Sequence, residues 1–195
     1  MQTHSHFLIT ALAGKQLQQR GIPVRHTAWL IGSVIPDIPL VLLTMGGTLY
    51  YRWFNPTVPA GEVHERLHFQ LFFSDPWWIA SHNFFHSLVI GTLLLSLGWW
   101  AWRNQKNWGM TMVWFAMAII FHTAIDIFTH HSDGPVFLFP LTWSYRFQSP
   151  ISYWEQGYYS RQFTVFEIAL DTLIVLYFVI DWLYNKLKPR GYPTR

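Results

Sequence analysis

Residues Gly109–Thr129 read GMTMVWFAMAIIFHTAIDIFT, and this stretch decides the class of fold. It has no Lys, Arg or Glu, and His122 and Asp126 are its only ionisable residues. At a rise of ~1.5 Å per residue such a helix covers about 30 Å, the thickness of the hydrocarbon layer of a bilayer. Arg103 and Lys106 precede it and a His130-His131 pair follows, so the apolar run is bounded at both ends by polar residues. A helix this apolar on all sides is a membrane span or the centre of a large core.

Three further segments have the same character. Residues 27–50 are apolar apart from Asp37, and residues 82–102 carry no charge beyond His82 and His86. Residues 162–184 are apolar around Glu167, Asp171 and Asp181. A weaker helix at 6–19 comes first. The reading is an all-α, polytopic membrane bundle forming one domain over residues 1–195. It has four transmembrane spans at 27–50, 82–102, 109–129 and 162–184, plus the short N-terminal helix. Two long aromatic outer loops, 51–81 and 130–161, complete it. Ala11-Leu12-Ala13 resembles a signal-peptide cleavage site, but the stretch before it is short and lacks a positive region, so it is read as uncut.

Composition agrees. Charged residues make up 12% of the chain, against roughly 25% in a soluble domain, while 51% is hydrophobic and 19% aromatic. The mean hydropathy of +0.17 is held down by Trp and Tyr, which favour the membrane interface. Disorder, collagen-like repeats and coiled coils do not fit this composition. The chain has no cysteine, so thiolate sites and disulfides are excluded and any metal must be held by His, Asp or Glu. Its ten histidines equal its ten acids in number.

The 13 Lys and Arg give a net charge of +3 without forming a basic run, so nucleic acid is not an expected partner and the lipid bilayer is. Nine of the 13 (Lys15, Arg20, Arg25, Arg103, Lys106, Lys186, Lys188, Arg190 and Arg195) fall on one side of the spans. By the positive-inside rule both termini are then tethered on the cytoplasmic side and both long loops lie outside. Trp77, Trp78, Trp143 and Trp154 in those loops read as an interfacial aromatic belt, or as a lid over a site that opens outward.

Ionisable residues inside a span cost about 2.5–3.5 kcal/mol each on insertion scales, and they mark cavities or partners. Here they recur at helical spacing. His82 and His86 are i,i+4, His122 and Asp126 are i,i+4 with His130 one turn beyond, and Glu167 and Asp171 repeat the interval. Counted from the basic anchors at ~1.5 Å per residue, His4, Asp37, Asp171, His122, His86, Asp126 and His130 lie roughly 16 to 30 Å up, within the outer half of the bilayer. Each has a competing structural role. The His122/Asp126/His130 face can hydrogen-bond between helices, and Asp37, in Ile35-Pro36-Asp37-Ile38-Pro39, can cap the helix resuming at Pro39. Glu167 and Asp171 read as a general base, a metal bridge or partners that orient a histidine. His64 and His68 form a rival pair on what reads as a solvated interfacial helix. His131 and Asp133 read as neighbours of the site.

These residues, in order, resemble a known family. Thr3-His4, Gly32-x3-Pro36-Asp37, His82-x3-His86-Ser87, His122-x3-Asp126-x2-Thr129-His130-x3-Gly134 and Phe139-Pro140 resemble the membrane-bound metal-dependent hydrolases of the prokaryotic inner membrane, a group that includes the LexA-regulated YdjM-like proteins. That family is in turn similar to zinc-dependent phospholipase C and the single-strand nucleases. The resemblance covers residues 3–140 and implies metal ligands at His4, Asp37, His82, His86, His122, Asp126 and His130. Two positions depart from the family pattern: Pro39 stands where a second acid is usual, and Asn83 where an Arg is usual. Arg146 or Arg161 in the outer loop are the cations available to replace that Arg.

The function expected is metal-assisted hydrolysis at the outer half of the membrane, with one or more Zn²⁺ ions, Asp37 or Asp126 orienting the attacking water, and an amphiphilic or phosphoester substrate. A haem-binding electron carrier, using histidines such as His86 and His122, and a non-catalytic metal-bound scaffold are the alternatives.

Overall fold

The computed structural model describes residues 1–188, and among these every regular element is helical. In chain order they are α1 (Thr3–Gln19), α2 (His26–Gly32), α3 (Ile38–Trp53), α4 (Val63–Glu65), a π-helical turn (Arg66–Leu71), α5 (Phe72–Ser74), α6 (Pro76–Phe85), α7 (Leu88–Arg103), α8 (Gly109–Thr129) and α9 (Ser160–Leu187). Arg190 and Arg195, counted above in the basic tail, lie outside the described residues.

Helix α8 is the axis of the molecule. It packs antiparallel to α7 and side by side with α2, and 11 of its side chains are buried, from Gly109 to Thr129. Small residues make these approaches close. A Cβ at residue 91 would lie 2.7 Å from Ile120 and one at residue 98 would lie 2.8 Å from the backbone nitrogen of Val113. This is the packing expected where lipid removes the hydrophobic drive between helices and van der Waals contact must hold them together. Trp29 of α2 adds an edge-on contact with Trp114, at 5.4 Å between ring centroids, and donates its indole N–H to the Thr10 carbonyl at 2.7 Å.

Gly32 has the tightest constraint that bears on the site. A Cβ there would stand 2.6 Å from the Phe115 carbonyl oxygen and 2.7 Å from the Ala118 Cβ. Gly32→Val is therefore expected to push α2 away from α8 and to destabilise the fold by at least ~1–3 kcal/mol, the range for overpacked interiors. Thermal unfolding in detergent checks it, and an unchanged midpoint would contradict the close α2–α8 contact.

Two of the four expected spans are broken. Residues 27–50 form two helices, α2 and α3, interrupted at 33–37. Pro36 and Pro39 cannot donate to a helical ladder, and Pro39 is tolerated only because it sits in the first turn of α3. Residues 82–102 contain a 46° bend between α6 and α7. Ser87 makes this bend: its extended backbone starts α7, and its Oγ accepts the Val89 and Ile90 N–H groups at 3.1 Å each. By length and composition α8 and α9 are candidate spans, and α6–α7 adds a third if the bent pair crosses as one. Among the described residues there are thus two or three candidate spans and not clearly four.

Segment 51–81 is also not a loop. Val63, Leu67 and Phe72 bury themselves against Leu40, Leu43 and Tyr51, which holds residues 63–74 helical. Asp75 then caps α6, accepting from the Trp77 and Trp78 N–H groups at 2.9 and 3.1 Å, with Pro76 as its first residue. Residues 130–159 are irregular and fold back over the end of α8, where the Tyr153 N–H reaches the Thr129 carbonyl at 2.9 Å.

Helix α1 runs parallel to α9. The Gln2 N–H donates to Glu167 at 2.7 Å, the Ser5 hydroxyl to Asp171 at 2.7 Å and the Gln16 amide to the Tyr177 hydroxyl at 3.2 Å, while Lys15 pairs with Asp181. The start of α2, the α7–α8 turn and the ends of α1 and α9 consequently share one end of the bundle, and Lys15, Arg103, Lys106 and Lys186 collect there. Met1 lies at the opposite end, where its amine contacts Asp126 and Thr129 at 2.9 Å each.

Candidate metal centre

Each break in the helices delivers one side chain to the same point. The 33–37 interruption turns Asp37 inward, the α6–α7 bend presents His86, and α8 contributes His122 and Asp126 from one face. Asp37 precedes α3 but makes no side-chain cap hydrogen bond. Its carboxylate accepts from the Thr3 hydroxyl at 2.5 Å and turns its other oxygen to the histidines. One ligand atom from each of Asp37, His86, His122 and Asp126 lies within 4.8 Å of all the others.

Five of the six separations are short. The two imidazole Nε2 atoms are 3.2 Å apart. His86 Nε2 is 3.4 Å from Asp37 Oδ1 and 3.4 Å from Asp126 Oδ2. His122 Nε2 is 3.5 Å from Asp37 Oδ1 and 3.0 Å from Asp126 Oδ2. Both rings are held from behind, His86 Nδ1 on the His82 carbonyl at 3.0 Å and His122 Nδ1 on the Ser33 carbonyl at 2.8 Å. A carbonyl only accepts, so each Nδ1 donates its proton, and with the rings in their neutral form each Nε2 would present a lone pair toward the other. Two such lone pairs and two carboxylates converge on one volume, an arrangement satisfied by a cation placed between them.

His6 joins this group, although the resemblance points to His4. Its ring stacks on His122 at 3.7 Å, its Nε2 is 2.9 Å from Asp126 Oδ1 and its Nδ1 is buried without a partner. His4 projects outward with 69% of its side chain exposed and pairs with Asp171 at 3.2 Å. The signal for His6 was in the sequence: His6, Thr10 and Gly14, spaced i, i+4, i+8, form the buried stripe of α1. Glu167 and Asp171, tied to Gln2 and Ser5, position α1 and do not enter the four-residue group.

His82 and His130 flank the group. The His82 ring lies 4.4 Å from His86 and 5.0 Å from Phe72, and its buried Nδ1 has no partner. His130 Nδ1 is 3.0 Å from the Asp126 carbonyl oxygen and its ring packs 4.8 Å from Tyr153. Both line a cavity of 410 Å³ that opens beside the centre, as do Asp37, His86, Asp126 and the rival pair His64 and His68. His131 is turned away, bonded to the Ser149 carbonyl at 2.7 Å and stacked on Tyr158 at 3.5 Å. Asp133 lines the cavity and accepts the Trp154 indole N–H at 2.8 Å.

Asn83 has a structural role of its own, as Pro39 has in the first turn of α3. Asn83 is fully buried: its Oδ1 accepts the Val136 N–H at 2.6 Å and its Nδ2 donates to the Ile79 carbonyl at 2.8 Å. It therefore pins the 130–159 segment to α6. Arg146 donates to the Gly134 carbonyl and lies over the rings of Phe72 and Phe73 at 4.9 and 5.2 Å, and its burial pushes its pKa down to about 10. Burial likewise pushes the Tyr153 phenol up, so it stays protonated and neutral at ordinary pH. Arg161 lines a separate groove at the start of α9.

A family model described as YdjM inner membrane protein matches residues 1–187, and the chain belongs to that family. No curated protein and no solved structure matches it.

Proposed function

We propose that this member of an inner membrane protein family is a metal-dependent hydrolase holding a zinc ion between Asp37, His86, His122 and Asp126. The observation that carries this reading is the set of distances among the four ligand atoms. A tetrahedral ion with bonds of about 2.0–2.1 Å has ligand atoms about 3.3 Å apart, and five separations here run from 3.0 to 3.5 Å. A mixed imidazole–carboxylate set favours zinc over magnesium or calcium, which prefer oxygen alone. The buried partnerless Nδ1 of His82 and the position of His130 make these two the residues available to a second ion.

With a fifth position open on the cavity side, such an ion would lower the pKa of a water and polarise the oxygen of a scissile phosphoester. The chain supplies the rest. Asp37 has 20% of its side chain exposed against 4% for Asp126, so Asp37 faces the cavity and is the carboxylate placed to accept the water's proton. Asp126, bonded to His6 and beside Thr129, holds His122 and His86 in register. The basic end of the bundle, assigned to the cytoplasm by the positive-inside rule, leaves the cavity in the outer half of the membrane. A haem between His86 and His122 finds no support in this geometry, because their Nε2 atoms are 3.2 Å apart and two carboxylates fill the same space.

The test compares wild-type protein with Asp126→Ala for bound zinc and for hydrolysis of a chromogenic phosphodiester and a phospholipid panel. The reading predicts zinc-dependent turnover in wild type that falls at least ~100-fold in the variant. Zinc retained in wild type with no turnover on any substrate would favour a non-catalytic scaffold.

A further inference from the structure

The cavity beside the centre has two chemically different walls. Asp37, His86, Asp126 and Asp133 make one polar, whereas Leu40 and Val41 of α3 and Phe69, Phe72 and Phe73 of the 63–74 stretch make the other apolar. The two walls meet close to the centre: Phe72 is 5.0 Å from the His82 ring, which is 4.4 Å from His86. The apolar wall is also open, with Val41 47%, Phe69 53% and Phe73 39% exposed. It continues without a polar break onto the outer face of α3, which buries none of its side chains and exposes Leu42 and Met45.

The geometry points to a lateral acyl-chain groove: the substrate is a chain-bearing phospholipid that enters from the bilayer between α3 and residues 63–74, lays its chain along Val41, Phe69 and Phe73, and brings its phosphoester to the centre. What happens at the polar end rests on the hydrolase reading above; the groove rests on the apolar wall alone. A small water-soluble phosphodiester would leave five apolar side chains facing water within the binding cavity. A lipid chain covers them, and it reaches them along a surface that is apolar throughout.

The test uses n-alkylphosphonates from butyl to octyl, whose carbon–phosphorus bond resists phosphodiester hydrolysis, with zinc-loaded protein in amphipol. Binding is followed by tryptophan fluorescence, since Trp154 lines the cavity. Burial of a methylene contributes about 0.8 kcal/mol, so Kd should tighten about fourfold per added carbon. Val41→Ser and Phe73→Ser should each cut that slope to below about twofold, while Leu173→Ser, exposed on α9 and outside the cavity lining, should leave it unchanged. Retained zinc in each variant reports an intact fold. A flat series in wild type, or a slope that neither groove variant alters, overturns the groove. The His122→Ala protein separates the two readings. Uniformly weaker binding at every length with the slope preserved supports both, and no change at any length overturns the metal reading while the groove stands.

Discussion

His122→Ala is expected to strip the protein of its metal. The substitution removes one of four ligand atoms, leaves the Ser33 carbonyl without its donor, and takes away the imidazole against which His6 stacks. Losing a partner that only orients a ligand typically costs 10–100-fold in metal affinity, so losing the ligand itself should cost more than about 100-fold. Elemental analysis after dialysis against a weak chelator should find metal in wild type and next to none in the variant. The same assay separates His6 from His4. His6→Ala unties Asp126 and should weaken binding by about 10–100-fold, whereas His4→Ala, at an exposed side chain bonded to Asp171, should leave it unchanged. Metal lost with His4→Ala and kept with His6→Ala would contradict the placement of α1.

Asp37→Asn should separate chemistry from binding. The amide keeps the size of the side chain and one oxygen lone pair, so at saturating zinc the ion stays bound. What disappears is the carboxylate that accepts a proton on the cavity side, and with it about 10²–10⁴ in kcat, the usual contribution of a general base. With the amide oxygen turned to the ion, the amide nitrogen faces Thr3, whose hydroxyl, the donor to Asp37 Oδ2 at 2.5 Å, can rotate to accept from it, so the local fold should hold. The kcat for a chromogenic phosphodiester, measured at saturating zinc, checks this. An unchanged kcat would move the base elsewhere, with Asp126 the remaining carboxylate of the four.

Parts of this architecture are legible from sequence because a single physical signal specifies them. The run 109–129 is apolar without interruption, and α8 has those limits. The expected 162–184 lies inside α9. His122 and Asp126 fall on one face by spacing alone, and the structure brings them together with Asp37 and His86. The prolines mark the break before Pro39, where a helix was expected to resume, but hydropathy did not reveal the bend at Ser87, which hardly changes the apolar average of a span while it changes the hydrogen bonding. Those same breaks turn Asp37 and His86 toward α8, so the residues most important to the site stand where a span reading is least informative. A helix carrying His64 and His68 was legible from their spacing, but its burial was not: Val63, Leu67 and Phe72 pack against α3, a tertiary contact that turn-rich flanking sequence does not announce. Choosing between His4 and His6 required knowing which face of α1 meets α8. The two lie roughly 200° apart around a helix, and only the His6–Thr10–Gly14 stripe distinguishes them.

The central claim is that two imidazoles and two carboxylates hold one ion, and zinc-edge X-ray absorption on protein purified from membranes tests it most directly. The account predicts stoichiometric zinc with four protein nitrogen and oxygen ligands at about 2.0–2.2 Å, a water as the fifth, and the multiple scattering of two imidazoles. A folded protein that takes up no zinc, or binds it without imidazole in the shell, would contradict it.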